Sequence, residues 1–291
     1  MSRIAYVNGE FLPLEAAKIS ILDRGFIFAD GIYEVTAVLD GRLVDYDNHI
    51  ARLWRSLGEI KLACPVDAAR LLELHRSLIE RNRLTEGSIY LQVTRGVAER
   101  DFPFPKDVPS SLVMFTQIKS LIDPPAAKTG IKVLSLPDLR WSRRDIKSVA
   151  LLAQVLAKQA AAEVGCQEAW MLDGDKITEG GSSTAFIVNK DRHLITRPLS
   201  RAILPGITRK AVLALAEQED LRLEERPFSL EEAYGAEEAF ISSATSFVMP
   251  VVEIDRRPIG TGRPGPLAAR LRELYLEKAR LALGDTAQHD A

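Results

Sequence analysis

Arg140-Trp-Ser-Arg-Arg-Asp-Ile-Lys147 and, some twenty residues on, Ala169-Trp-Met-Leu-Asp-Gly-Asp-Lys-Ile-Thr-Glu-Gly-Gly-Ser-Ser-Thr-Ala-Phe186 are the stretches whose reading decides the fold. Between them Val149, Leu152, Leu156, Ala160 and Val164 fall at helical spacing, so a helix is expected to start close to Lys147 and to end at Gly165. Two hairpins then follow. Ala169–Leu172 and Lys176–Thr178 flank Asp173-Gly174, while Ala185–Val188 and His193–Thr196 flank Asn189-Lys-Asp. Strands and helices therefore mix without the strict alternation of a doubly wound parallel sheet, which marks an α+β fold with mostly antiparallel strands.

Working outward, Ile4–Val7 and Glu10–Pro13 around Asn8-Gly9 read as a hairpin with a type I′ turn. Ile32–Leu39 is a strand turned at Asp40-Gly41 into Arg42–Asp45. Asp47 offers an N-cap to a helix with Ile50, Leu53, Trp54, Leu57 and Ile60 on one face. A helix from Asp67 to about Asn82 and strands at Ser88–Arg95 and Ser110–Ile118 complete a smaller N-terminal α/β domain, residues 1–120. Pro124-Pro125 breaks the pattern, and residues 121–131 read as a linker. A larger domain over 132–283 opens with a strand at Ile131–Leu136. Its later part holds Leu204-Pro-Gly-Ile-Thr208 running into a helix, a capping box at Ser229-Leu-Glu-Glu232, strands at Ala239–Ser243 and Val251–Ile254, and a helix from Pro266. Residues 284–291 read as a disordered tail.

Bulk properties narrow the function. The chain has 291 residues, 46% hydrophobic and 27% charged, as soluble domains do. A net charge of −2 gives no reason to expect nucleic acid or an acidic membrane surface as partner. Cys64 and Cys166 lie far apart and make no disulfide framework. No stretch resembles a signal peptide or a membrane span, so a cytoplasmic enzyme is expected.

The chemistry lies in a few residues. A lysine that attacks a carbonyl must be held where its neutral amine is favoured, and Lys147, beside Arg143 and Arg144, is the candidate. Glu179, in front of the close-approach turn Gly180-Gly181 and the hydroxyls of Ser182, Ser183 and Thr184, can partner an aromatic nitrogen cation. Together these needs describe a pyridoxal phosphate site. Pro205-Gly-Ile-Thr208 at a helix N-terminus is the phosphate candidate, with Ser242–Ser246 as a further source of donors. Periodicity leaves Arg52 in water and Tyr33 on an alternating strand, while Arg95 and Arg100 read as surface groups. None of the four histidines has metal-ligand spacing, and nucleotide-binding glycine loops are absent.

Seven ordered segments carry a resemblance over roughly Tyr6 to Tyr275. They are Asp23-Arg-Gly-Phe-Ile-Phe-Ala-Asp-Gly-Ile-Tyr-Glu-Val35, His49-Ile-Ala-Arg-Leu53, Gln92-Val-Thr-Arg-Gly96, Asp145-Ile-Lys-Ser148, Leu156-Ala-Lys-Gln159, Thr178-Glu-Gly-Gly-Ser-Ser183 and Leu204-Pro-Gly-Ile-Thr-Arg209. With them the chain resembles the fold-type IV pyridoxal phosphate enzymes, the class IV aminotransferases, and their D-amino-acid branch most closely. The resemblance implies that Lys147 is the Schiff-base lysine and Glu179 the partner of the pyridine nitrogen. It implies Arg52, Ile207 and Thr208 at the phosphate, against the solvent-facing reading of Arg52. Leu204 matches the residue packed on the cofactor ring, and Ser182 and Ser183 match polar residues beside cofactor and substrate.

For the substrate, the resemblance implies Tyr33 as pocket tyrosine and Arg100 as holder of the α-carboxylate. The family usually has a histidine two residues after that arginine; here Phe102 stands there. Where the family often has a threonine at the phosphate, this chain has Ala244, leaving backbone N–H groups or Thr245. The implied function is transamination between a D-amino acid and a 2-oxo acid by a homodimer. Its rivals are a branched-chain L-amino-acid aminotransferase, an (R)-amine transaminase, aminodeoxychorismate lyase, and a pyridoxal phosphate-binding protein without turnover.

Overall fold

Short-range signals shape the first part of the chain in this computed structural model, which describes residues 2–219 and 221–285. Asn8 and Gly9 both take positive φ, 48° and 109°, the type I′ pattern, and join β1 (Ile4–Val7) to β2 (Glu10–Pro13). Asp23 caps α1 (Arg24–Phe28) by accepting the Gly25 N–H. β3 (Gly31–Leu39) turns at Asp40-Gly41 into β4, which is confined to Arg42–Leu43 and stops short of the expected Asp45. α2 (Tyr46–Glu59) begins one residue before the expected cap: Asp45, in a left-handed conformation, is the N-cap, and Asp47 lies in the first turn. α3 (Ala68–Asn82) is capped by Asp67, whose side chain accepts the Arg70 N–H.

β5 (Gly87–Thr94) and β6 (Ser111–Ile118) complete an antiparallel sheet ordered β2-β1-β6-β5-β3-β4. Alternation sends Ile32, Leu91, Val93, Leu112 and Met114 to one face, where they pack with Leu53, Leu57, Leu71, Leu74 and Leu78 of α2 and α3. The opposite face carries Tyr33, Gln92 and Val113 in one cross-strand row.

The chain divides into two compact units. One runs up to Ser120 and includes Ile146–Ala150; the other comprises Leu121–Asp145 and the chain from Leu151. The segment around Lys147 thus leaves the range expected for the large domain and joins the first unit. It is extended, not helical. Tyr33 N–H donates to Lys147 O and Val149 N–H to Gly31 O, both at 3.1 Å, so the segment adds to the free edge of β3. Such pairing is tertiary, and helical spacing downstream of Lys147 gives no sign of it.

In the second unit the expected linker contains one helical turn, α4 (Pro125–Thr129), started by a proline whose fixed φ suits the first helical position. Ala126 and Ala127 pack against the second core. β7 (Ile131–Pro137) leads to α5 (Leu152–Glu163), which begins five residues after Lys147. Its expected apolar stripe faces outward, with Leu152 72% and Leu156 60% exposed. The buried side is made by Ala157 and Ala161, whose small side chains allow close packing with Ala169, Leu134 and Leu136.

β8 (Glu168–Asp173), β9 (Lys176–Gly180), β10 (Thr184–Val188) and β11 (His193–Thr196) follow. After them come α6 (Ile207–Gln218), β12 (Arg222–Glu225), α7 (Leu230–Tyr234) with the full capping box at Ser229, β13 (Glu238–Ser243) and β14 (Phe247–Ile254). β15 (Arg257–Pro258) and α8 (Pro266–Asp285) end the described chain. α8 takes in Gly284 and Asp285 of the expected tail; residues 286–291 lie outside the described residues.

The second sheet is ordered β12-β11-β10-β13-β14-β7-β8-β9, with β15 on β14. It is mostly antiparallel, interrupted by parallel pairs at β11–β12, β14–β7 and β7–β8. β12 was not foreseen, because Arg222-Leu-Glu-Glu225 lacks an apolar alternation. No helix among the described residues is long and apolar enough to cross a membrane.

Candidate active site

In the first unit Lys147 is fixed by its backbone to β3, and its own N–H donates to Ser56 Oγ at 3.4 Å. Its ammonium lies 4.3 Å from the centroid of the Tyr33 ring. Tyr33 is half-buried and stacks on Tyr90, which stacks on Phe115, at 5.7 and 4.9 Å between centroids. The flanking cations expected to act on Lys147 are bound elsewhere: Arg143 pairs with Asp145, and Arg144 Nε lies 3.4 Å from Asp138.

Arg52 is 8% exposed, not solvated. Its Nε and Nη2 donate to the two carboxylate oxygens of Glu34, each at 2.8 Å, and His49 Nδ1 is 2.9 Å from Glu34 Oε2. Burial pushes the Glu34 carboxyl up, but Arg52 and His49 together outweigh it and hold it far below the usual carboxylate range. The signal existed in the sequence. His49, Arg52 and Ser56 recur at helical spacing as a buried polar stripe beside the apolar Ile50, Leu53 and Leu57.

In the second unit Glu179 is buried at the end of β9. Both of its oxygens accept the Leu204 N–H at 3.2 Å, and Arg140 Nη1 pairs with Oε1. Burial raises the Glu179 carboxyl above its usual range, and Arg140 offsets this only in part. Arg140 is shared: its Nη2 donates to Asp138 at 2.7 Å, and Asp138 also accepts from Thr178 Oγ1 at 2.6 Å. Arg140 and Asp138 were not singled out beforehand, because nothing local distinguishes a buried arginine from a surface one. Leu204 is half-buried, and its N–H ties it to Glu179.

Glu168, also unforeseen, organises the Gly180–Ser183 turn. Its carboxylate accepts from Ser182 Oγ at 3.2 Å and Ser183 Oγ at 3.0 Å and lies 3.2 Å from Lys158 Nζ. A Cβ at Gly180 would overlap Ser183, so glycine there is a packing requirement. The signal was a lone carboxylate heading an apolar strand.

At the N-terminus of α6, Gly206 is the N-cap, Ile207 the first helical residue, and Thr208 is buried. No side chain among the described residues caps this turn. A Cβ on Gly206 would lie 2.9 Å from Thr184 Oγ1. Thr184 pairs across the ladder with Ser242, whose hydroxyl is buried without a hydrogen-bond partner among the described residues. Ala244 and Thr245 follow in the half-buried turn between β13 and β14. Backbone donors, a positive helix end and a close-approach glycine make a polar cradle suited to an anion.

Arg100, on an irregular loop of the first unit, is exposed, with its guanidinium carbon 5.4 Å from the Phe28 centroid and 5.6 Å from that of Phe102. Among the described residues no group of three His, Cys, Asp or Glu could hold a metal ion.

A buried glutamate ready to accept a charged donor and an anion cradle at a helix N-terminus define the class to which this site belongs. The model of the family described as amino-transferase class IV matches residues 31–254, and the chain belongs to that family. A D-alanine aminotransferase from Staphylococcus aureus is 39% identical over 270 residues, 92% of this chain and 95% of that protein. One from Bacillus licheniformis is 37% identical over 267 residues, 91% and 93% of the two chains. Among solved structures, a branched-chain aminotransferase from Thermoproteus uzoniensis overlays with a TM-score of 0.85 at 25% identity, covering 94% of each chain. The branched-chain enzyme of Escherichia coli shares the fold, with a TM-score of 0.83 at 24% identity over 95% and 94%.

The cofactor of the family is pyridoxal phosphate. The residues fit it: the unpartnered Ser242 hydroxyl and the Gly206 approach suit its phosphate, and the under-compensated Glu179 suits its ring nitrogen.

Proposed function

We propose that the chain transfers the amino group of a D-amino acid, such as D-alanine or D-glutamate, to a 2-oxo acid, as a cytoplasmic homodimer. The substrate assignment is supported by the D-alanine aminotransferases, similar over nine-tenths of the chain. The observation that carries the mechanism is Lys147, pinned along the edge of β3 with its ammonium against Tyr33. Bound there, pyridoxal phosphate supplies an aldehyde that condenses with amines and a ring that withdraws electrons from the adjoining carbon.

Lys147 would supply the amine that holds the cofactor aldehyde, and its Nζ would carry the proton taken from the substrate α-carbon. Fixed backbone on both sides leaves only its side chain to move. Glu179 accepts a hydrogen bond from the ring nitrogen and keeps it protonated; burial, which raises the free carboxyl, makes a new positive partner stabilising. Arg52, Ile207, Thr208, Ala244 and Thr245 hold the phosphate, the last four through N–H groups and, at Thr208 and Thr245, hydroxyls. Leu204 packs on the ring, and Ser182 and Ser183 line the substrate side. Tyr33 bounds the substrate pocket, and Arg100 holds the α-carboxylate.

Lys147→Ala is expected to abolish D-alanine-dependent pyruvate formation. Turnover retained by that variant would remove the lysine from its role. A donor panel of D-amino acids, L-branched amino acids and (R)-amines, scored by loss of the cofactor absorption band, separates the proposed substrate from the rivals. Fastest bleaching by L-leucine or an (R)-amine would overturn the D-amino-acid reading.

A further inference from the structure

The loop from Val97 to Pro109 has almost no regular secondary structure, yet it is held. Arg24 is 3% exposed and spends its guanidinium on consecutive carbonyls: Nη1 on Asp101 O at 2.6 Å and Pro103 O at 3.4 Å, Nη2 on Phe102 O at 3.2 Å. Its Nε donates to Asp30, which also accepts Arg95 Nε, and Arg95 lies 3.5 Å from the Phe104 centroid. Arg24 thus fixes the backbone of residues 101–103, and Arg95 holds the Phe104 ring beside it.

On this anchored backbone Phe102, though 74% exposed, does not point away. Its ring meets Phe28 at 5.4 Å between centroids, and Arg100 is the cation both rings share. A surface arginine ordinarily samples many rotamers, and fixing one has an entropic cost. Two aromatic faces, Phe28 at the end of α1 and Phe102 on the anchored loop, offset that cost before any ligand arrives.

We propose that Phe28 and Phe102 form an aromatic clamp that orients the Arg100 guanidinium for the substrate carboxylate, and that Phe102 is a positioning residue for substrate recognition. The inference rests on the reading of Arg100 as the carboxylate holder. At Phe102, where a histidine could add a second hydrogen bond to the carboxylate, the ring acts only through Arg100. Recognition then depends on one guanidinium whose direction is set by the rings. Cofactor binding and proton transfer need neither ring, so the effect falls on KM.

The test is steady-state kinetics on the holoenzyme with D-alanine for Phe102→Leu, Phe102→Tyr, Arg100→Ala and the double variant Arg100→Ala/Phe102→Leu. Loss of one exposed cation–π contact corresponds to a KM raised ~2–5-fold by Phe102→Leu at unchanged kcat. Phe102→Tyr, which keeps the ring, is expected at the wild-type KM. Arg100→Ala is expected to raise KM further, and Phe102→Leu to add nothing in that background. Wild-type KM for Phe102→Leu beside an impaired Arg100→Ala overturns the clamp alone. An equal Phe102→Leu effect in both backgrounds shows that Phe102 meets the substrate itself, and also overturns it. A wild-type KM for Arg100→Ala removes the carboxylate role of Arg100 and the clamp with it.

Discussion

Glu34 in the first unit and Glu179 in the second are both almost fully buried and both paired with an arginine, yet their carboxyls are shifted in opposite directions. The partners explain the contrast. Glu34 receives two nitrogens of Arg52 at 2.8 Å and a third donor, His49. Glu179 receives one nitrogen of Arg140, whose remaining donors go largely to Asp138, itself a nearby negative charge. Burial penalises both carboxylates; only Glu34 has enough donors to overcome it. Glu34 is therefore a committed anion that holds Arg52 in place. Glu179 is short of positive charge, which is what its proposed role beside a protonated ring nitrogen requires.

The contrast can be broken first at Glu34. Glu34→Ala leaves the Arg52 charge buried without its carboxylate and is expected to destabilise the apoprotein by ~3–5 kcal/mol, read as a shifted urea midpoint. A loss below about 1 kcal/mol would mean that the pair is not structural. Glu179→Gln is the counterpart. It is expected to lower kcat about 10²- to 10³-fold, by analogy with the loss of one preorganised electrostatic partner, and to leave the urea midpoint close to wild type. Similar destabilisation by both variants would erase the distinction.

Acid titration sharpens the comparison further. His75, buried in the first unit and donating from Nδ1 to Leu71 O at 2.7 Å, is depressed by burial from 6.5 to about 4. The unfolded imidazole takes a proton below about pH 6.5 and the folded one only below about 4. Stability should thus fall as pH drops through that window, by at most about 3 kcal/mol, and His75→Phe should flatten the slope. The two glutamates act with opposite sign, Glu34 below its unfolded pKa and Glu179 above it. Glu34, held low, contributes stability present above its unfolded pKa near 4.5 and lost as pH falls further. Glu179, raised, takes up its proton more readily folded than unfolded, and so favours the folded state on acidification. Urea midpoints of Glu34→Gln and Glu179→Gln against pH should therefore diverge from wild type in opposite senses; parallel curves would refute the assigned directions.

Much of the scaffold was legible because its signals are local. The Asn8-Gly9 turn, the Asp67 cap, the Ser229 capping box and the Gly206 helix start each depend on a few adjacent residues. Glu179 and Pro205–Thr208 stand out as candidates the same way, from composition that suits a close backbone approach. What escaped is set by tertiary partners. Lys147 was placed at a helix start because the edge of β3 cannot be seen from its own neighbours. Apolar periodicity leaves Arg52 in water because it does not register a cation buried against Glu34. Helical spacing expects Leu152 and Leu156 in the packed stripe of α5, whereas the small Ala157 and Ala161 make the contact. Arg140 and Asp138 carry no local signature, and their place emerges only with the second sheet assembled.

The contrast between the two glutamates is tested most directly by the nitrogen NMR shift of isotopically labelled pyridoxal phosphate bound to wild type, Glu179→Gln and Glu34→Gln. A protonated ring nitrogen is expected in wild type and in Glu34→Gln, and an unprotonated one in Glu179→Gln. The same signal in wild type and Glu179→Gln would contradict the assignment of Glu179 as the residue that holds that proton.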